Sequence, residues 1–326
     1  MAKKEVAVGI DIGGTNAVFG FVDREGKILG DDSIKTANYD EVEVFIAALY
    51  EKIMVTAHKI GNGIEMIGFG VGAPMGNINK GTIEHAADLP FKGVIPFAEI
   101  FNRHTDLPVI VTNDANAAAV GEMIYGGARG MKNFVVITLG TGLGSGFVVD
   151  GKLVYGHDGF AGEIGHTAIR PGPSNRDCGC GRKGCLETYV SATGLKRTLL
   201  KIMADSLQPS ELRKYSFEEL DAKMIHDAAV KGDYIAKRAF THTGRMLGFK
   251  LADVVAHTNP EAIFLFGGLA LAKDLIFEPT KEYMEENLLS IYKGKVKLLA
   301  SELSTQNAAV LGASSLVWTA REHNQN

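Results

Sequence analysis

The chain opens with alternating apolar residues, "EVAVGIDI", and runs straight into a turn of Gly and Thr. From Ile10 to Leu29, "IDIGGTNAVFGFVDREGKIL" reads as a strand, a glycine turn, a second strand with Gly-Phe-Val, a polar turn, and Gly-Lys with apolar residues. The same order recurs from Ile137 to Val154, "ITLGTGLGSGFVVDGKLV", with one residue's difference in each turn. Hairpins often look alike. What favours duplication is that both glycine turns lie between strands, and each fronts a region that continues in α/β alternation.

The remaining pattern predicts a helix over Asp40–Ile60, a strand over Met66–Val71, and a helix over Val94–His104. A strand at Val109–Thr112 leads into a helix at Ala115–Tyr125. After the second hairpin an irregular stretch extends through Glu187, followed mostly by helix to His257. Strands at Ala262–Phe266 and Val296–Leu299 alternate with helices at Lys273–Glu286 and Ala308–Ala320. Such alternation implies mixed sheets covered by helices. No Pro-rich or low-complexity linker divides the chain, so the boundary is expected as a hinge near 113–120, with one α/β domain over 1–117 and a second over 118–307.

Composition narrows the class. At 326 residues the chain is long enough for two ordinary cores. Its 34 basic and 38 acidic residues argue against a nucleic-acid surface. The N-terminus lacks the long apolar run of a signal peptide. The most apolar stretches, "MIGFGVGAPMG" and "AIFLFGGLALA", are too short and too rich in Gly to cross a bilayer. All three cysteines fall within "CGCGRKGC" at 178–185, a cluster without a pairing framework, which fits a reducing compartment. The expectation is a cytoplasmic protein.

The glycine turns are candidate phosphate nests. Gly13, Gly14, Thr15 and Asn16 in the first, and Gly140, Thr141 and Gly142 in the second, can aim backbone N–H groups at an anion, with two hydroxyls added. Neither turn has a Walker lysine or opens into a helix as a dinucleotide fingerprint does. Two nests therefore point to nucleotide phosphates gripped between lobes. Asp11 would hold Mg²⁺ directly or through water; its alternative role is to cap the turn. Asn113 and Asp114 stand where a strand gives way to an Ala-rich helix, a usual ligand position in α/β sheets. Either residue suits a helix cap, and an aspartate there can also accept a proton from an attacking alcohol. Cys178, Cys180 and Cys185 are too few to close a zinc site, which takes four ligands. His166 in "GEIGH", twelve residues upstream, is the candidate fourth; the alternative is a free thiol cluster.

Together these residues resemble the ROK family of bacterial sugar kinases and repressors, and within it the glucokinases. The likeness runs through "DIGGTN", "GAPMGN", "NDANAAA", "LGTGLGSG", "GEIGH", "CGCGRKGCLE" and "NPEAIFLFGG", all in the family's order. It implies an actin-like (ribonuclease H-like) α/β fold of two domains with a cleft between the lobes, the last helix (308–326) packing back on the first domain. It implies Asp114 as catalytic base, and Asn113, Glu163, His166 and Glu187 as sugar ligands. It implies a structural Zn²⁺ held by His166, Cys178, Cys180 and Cys185 within loop 163–187. ATP and Mg²⁺ would be the cofactors, with Gly267 and Gly268 flanking the adenosine. The partner would be a hexose, not nucleic acid or membrane, and the assembly a homo-oligomer, dimer or tetramer.

The activity so implied is phosphorylation of a hexose 6-hydroxyl, glucose before mannose, with N-acetylated hexosamines used poorly. Kinases for N-acetylmannosamine, N-acetylglucosamine or fructose share the same motifs. Family repressors carry a helix-turn-helix ahead of the "DIGGT" strand, and only a few residues precede it here. An actin-like or chaperone ATPase would have no use for "GEIGH" beside the cysteines. One departure stands out: "AADLPFKG" at 86–93 has Asp88 and Lys92 where many relatives carry Asn and an aromatic residue.

Overall fold

The structure, a computed structural model, describes residues 3–87, 89–169, 172, 175–303 and 308–323. Asp88 and the end of the expected last helix, 324–326, lie outside the described residues.

The meander β1 (Lys4–Ile12), β2 (Ala17–Val22) and β3 (Ile28–Ile34) is antiparallel, and α1 (Val42–Ile60) returns the chain to β4 (Ile64–Gly72), parallel to β1. A small sheet of β5 (Gly76–Asn77), β6 (Thr82–Glu84) and β7 (Val94–Ile95) precedes α2 (Phe97–Phe101) and β8 (Val109–Thr112). Then α3 (Asp114–Tyr125) leads to a second meander, β9 (Phe134–Leu139), β10 (Leu143–Val149) and β11 (Lys152–Leu153). Helices α4 (Ala192–Ala204), α5 (Ala222–Val230) and α6 (Tyr234–Thr258) follow. The chain closes with β12 (Ala262–Phe266), α7 (Asp274–Asn287), β13 (Lys297–Ala300) and α8 (Ala308–His323).

The two five-stranded sheets run β3-β2-β1-β4-β8 and β11-β10-β9-β12-β13. In each, the first strand of a meander pairs parallel with a later strand, which pairs parallel with the last. The duplication read from the hairpins thus extends to whole-sheet topology. Val6, Ala7, Val8 and Ile10 of β1 are fully buried because both faces of the sheet are covered. On one side Phe19, Phe45, Phe69 and Phe101 form an aromatic core. On the other lies α8, which approaches so closely that a Cβ on Gly9 would stand 2.0 Å from the Val310 carbonyl oxygen. At Gly70 the corresponding distance to the Ala313 oxygen is 1.8 Å.

Helix α3 covers the second sheet in the same way, over Gly144 and Gly146. The two helices then meet each other, since a Cβ on Gly121 would fall 2.8 Å from Gly312 Cα. A division of the chain at residue 117 falls within α3, a continuous helix that touches β10 on one side and α8 on the other. Among the described residues no helix is long and apolar enough to cross a membrane.

One expected element changes. The helix expected over Val94–His104 is a two-residue strand, then Pro96, then a single short helix at Phe97–Phe101. Proline biases the residue before it toward extended backbone, so Ile95 pairs with Ile83 of β6 and the helix starts only afterwards.

Candidate active site

Asp11 lies near the end of β1, where β4 also ends at Gly72. A Cβ on Gly72 would sit 3.9 Å from Asp11 Oδ1 and 3.7 Å from Asp114 Cα, so the two aspartates share one corner around Gly72. Burial, and secondarily the charge of Asp114, push the Asp11 carboxyl up from 3.8 to about 6. Asn113 is the N-cap of α3, its Oδ1 accepting from the Ala115 N–H at 2.8 Å. Asp114 Oδ1 accepts from the same amide at 2.8 Å, while the residue as a whole stays exposed. The capping role is real, and it is already met by Asn113.

Across from this corner, Glu163, His166 and Glu187 are held by β10. Gly165 lies hard against it, a Cβ there falling 2.3 Å from the Leu143 oxygen. Ser145 Oγ donates to the Gly162 carbonyl, fixing the residue before Glu163. Glu187 Oε2 accepts from the Leu143 N–H at 3.0 Å. Burial raises the Glu163 carboxyl, His166 lowers it, and Asp114 and Glu187 raise it further. Those mutual influences mark one cluster: the structure brings Asp11, Asp114, Glu163, His166 and Glu187 to the same part of the molecule.

The cysteines form a compact hairpin. Cys178 N–H donates to the Arg182 carbonyl at 2.9 Å, Gly181 N–H to the Cys178 carbonyl at 3.0 Å, and Gly181 and Gly184 are left-handed at φ 84° and 75°. The ligating atoms of His166, Cys178, Cys180 and Cys185 all lie within 4.8 Å of one another. Cys178 Sγ is 3.5 Å from His166 Nδ1, and Cys180 Sγ is 3.7 Å from Cys185 Sγ. Bonds near 2.3 Å place tetrahedral sulfurs roughly 3.8 Å apart, so the donor set fits zinc. No disulfide competes for the thiols.

None of Gly13, Gly14, Gly140 and Gly142 is left-handed. Gly142 serves close approach, a Cβ there meeting Glu187 Oε2 at 2.4 Å, whereas at Gly140 the space is open. Two edge amides are used within the turns, Gly13 N–H to the Asn16 carbonyl at 2.9 Å and Gly140 N–H to the Gly142 carbonyl at 3.1 Å. Gly267 is left-handed at φ 97°, and a Cβ would crowd the Leu139 oxygen at 2.7 Å. That contact sets the 267–268 turn beside the 140–142 turn.

The ROK family pattern matches residues 7–320. The chain belongs to the ROK family. A glucokinase of Halalkalibacterium halodurans is 35% identical over 315 residues, covering 95% of this chain and 94% of that one. The structure of a ROK family glucokinase from Streptomyces griseus, in complex with glucose and AMPPNP, superposes with a TM-score of 0.80 at 30% identity. It covers 96% of this chain and 99% of its own. A ROK family transcriptional regulator, a homologue of the Escherichia coli Mlc protein, superposes at 0.86 with 27% identity, over 97% of this chain and 78% of the regulator. The fold of this ROK protein is therefore the actin-like α/β fold of two lobes around a cleft, and fold alone does not separate enzyme from regulator.

Three residues with evident work at this ROK site escaped the sequence reading. Arg176 spans the cysteine loop and α4, donating to the carbonyls of Thr188 (2.7 Å) and Gly194 (3.1 Å) and to Thr198 Oγ1 (3.0 Å). Its guanidinium also lies 4.4 Å over the Tyr189 ring. Arg182 donates to the His166 carbonyl. Asn77 is fully buried and bonds to residues far along the chain. Their motif neighbours "CGCG" and "GAPMGN" were the available signal, but a lone Arg or Asn reads as surface until its partners are known. Lys92 staples its own loop, donating to the carbonyls of Ala87 (3.0 Å) and Leu89 (2.8 Å).

Proposed function

We propose that this ROK protein transfers the γ-phosphoryl group of ATP to the 6-hydroxyl of a hexose, with glucose the preferred acceptor. The observation that carries the reading is the meeting of Asp114 with Glu163, His166 and Glu187 beside the two glycine turns. A base, a hydroxyl-binding trio and two phosphate-sized turns are what a sugar kinase requires. In this reading Asp114 takes the proton from the 6-hydroxyl as its oxygen bonds to phosphorus, and ADP leaves. Asn113, Glu163, His166 and Glu187 hold the remaining hydroxyls. Amides and hydroxyls of Gly14, Thr15, Asn16, Thr141 and Gly142 receive phosphate oxygens, Gly13 and Gly140 shape the two turns through the bonds their N–H groups already make, and Gly267 and Gly268 flank the adenosine.

Asp11, a buried carboxylate beside a second one, is the residue to hold Mg²⁺, whose charge offsets that of the phosphates. His166, Cys178, Cys180 and Cys185 would hold a structural Zn²⁺, four ligands leaving no position for a catalytic water. Because Nδ1 of His166 faces Cys178, Nε2 is left for the sugar. The preference for glucose draws on the similarity to glucokinases and on a trio rich in acceptors, which favours a sugar edge bearing free hydroxyls. The test is ADP release with ATP, Mg²⁺ and glucose, mannose, fructose, N-acetylglucosamine or N-acetylmannosamine. Glucose is expected to give the highest kcat/KM. An N-acetyl sugar ahead of glucose overturns the preference, and no ADP with any sugar overturns the kinase reading.

A further inference from the structure

Asn77 has no part in the scheme above, yet its carboxamide is used at both ends. Oδ1 accepts from the N–H groups of Asn79 (3.0 Å) and Lys80 (3.3 Å), which fixes which way the amide faces. Nδ2 donates to the Asp158 carbonyl at 2.7 Å and to Glu84 Oε1 at 3.3 Å. Glu84 is itself held by Thr82 Oγ1 (2.8 Å) and Lys80 Nζ (3.1 Å). Asp158 belongs to loop 155–162, which joins β11 to Glu163. A parallel bond runs from Asn79 Nδ2 to the His157 carbonyl at 3.3 Å.

The loop is shaped to receive this side chain. Gly156, Gly159 and Gly162 are all left-handed, at φ 72°, 87° and 100°. A Cβ on Gly159 would stand 2.6 Å from Asn77 Oδ1. At the loop's far end Ser145 holds Gly162, and on the first lobe a Cβ on Gly76 would stand 2.2 Å from the carbonyl oxygen of Thr112, directly before Asn113 and Asp114.

We propose that Asn77 is a positioning residue for the sugar site: it clamps loop 155–162 of the second lobe to the small sheet of the first, and so fixes Glu163 and His166 relative to Asn113 and Asp114. An amide meets both demands at once, its oxygen accepting from two backbone N–H groups and its two N–H donors serving a carbonyl and a carboxylate, where a hydroxyl has a single donor. Aspartate would turn a carboxylate toward the Asp158 carbonyl and Glu84. Alanine would leave the carbonyl and the two N–H groups unpaired. Without the clamp the loop must be ordered when sugar binds, a cost that weakens sugar affinity and spares the nucleotide turns.

The proposal takes its substrate from the sugar-kinase reading, but its geometry is independent of that reading. The test compares wild type with Asn77→Ala and Asn77→Asp. Sugar KM is expected to rise about ten- to hundredfold, with ATP KM changing less than about threefold and zinc content unchanged. Hydrogen exchange across 155–166, measured without substrates, is expected to quicken about tenfold or more in both variants. Unchanged sugar KM with unchanged exchange overturns the clamp, and so does an equal rise in ATP KM. If wild type phosphorylates no hexose, the kinase reading falls and exchange alone decides the clamp. Should both variants fail to fold, Asn79→Ala removes only the exposed bond to His157, and a sugar KM raised roughly two- to fivefold is expected; no rise there overturns the clamp.

Discussion

Asp11 and Asp114 share a corner but not an environment, and the tasks proposed for them differ accordingly. Asp11 is largely buried and its carboxyl titrates at about 6, while Asp114 is exposed at the start of α3. A folded-state value raised from 3.8 means the native chain holds this proton more tightly than the unfolded chain does. Stability from this group is therefore fully present below about pH 4, falls as pH rises through about 6, and is level beyond. The penalty at neutral pH is about 3 kcal/mol. Asp11→Asn is expected to stabilise the ligand-free protein by about 1–3 kcal/mol at pH 7.5, with the gain vanishing near pH 4. Urea unfolding at both pH values checks this, and a variant less stable than wild type at pH 7.5 contradicts it. The same variant should lose most of the added stability that MgATP gives wild type. Asp114→Asn keeps the side chain's size and removes the base. It is expected to lower turnover about 10²–10⁴-fold while sugar binding by calorimetry stays within about threefold. A tenth of normal turnover would take Asp114 out of the role.

At the level of elements, β10 ties the second glycine turn to Glu163 and Glu187, the proposed phosphate side to the proposed sugar side. Its first residue binds Glu187, its third fixes Gly162, and the turn before it is the second glycine turn. The cysteine hairpin completes the arrangement, since His166 belongs both to the candidate metal set and to the trio proposed to bind hydroxyls. Cys180→Ser is expected to lose zinc and to weaken sugar binding at least about tenfold, because second-shell and ligand losses at such sites cost about 10–100-fold. Metal analysis and sugar titration check it together; a zinc-free variant with normal sugar affinity would break the link. Much of this level is legible in the sequence, because period-2 strands, glycine turns and a thiol cluster are local signals. The glycines were legible as a class but not by task. Gly144 and Gly146 look like extensions of the second turn, and they are flat ground for α3. Asn77 closes the motif "GAPMGN", but its task could not be read there, since its decisive partner lies 81 residues away. Pro96 was readable, and the apolar spacing on either side hid it.

On the scale of the whole molecule, two like sheets are each capped by a helix lying on glycines, and the two helices cross where Gly121 meets Gly312. The crossing is reinforced by Glu122, fully buried at the end of α3. It accepts from the N–H groups of Gly127 (2.8 Å) and Glu302 (3.2 Å) and from Ser301 Oγ (2.6 Å). Helix α3 and residues 301–302 are thus pinned to one carboxylate, a fixed point about which the proposed lobes would turn. The duplicated glycine turns then have a consequence: one sits on each sheet, so a nucleotide's phosphates meet both only across the cleft. The Asn77 clamp holds the sugar side together throughout, so closure would be a turn about that clamp and the α3–α8 crossing that brings the two glycine turns toward each other. Glucose is expected to reduce the radius of gyration in small-angle scattering. ATP hydrolysis without sugar should run at least about a hundredfold slower than sugar phosphorylation, because misplacing the reacting groups by about 1 Å costs that much. Closure also keeps water from taking the place of the 6-hydroxyl. An unchanged radius together with fast sugar-independent hydrolysis would mean that the phosphates are held by one lobe alone, and that the second glycine turn serves the sheet and not the nucleotide.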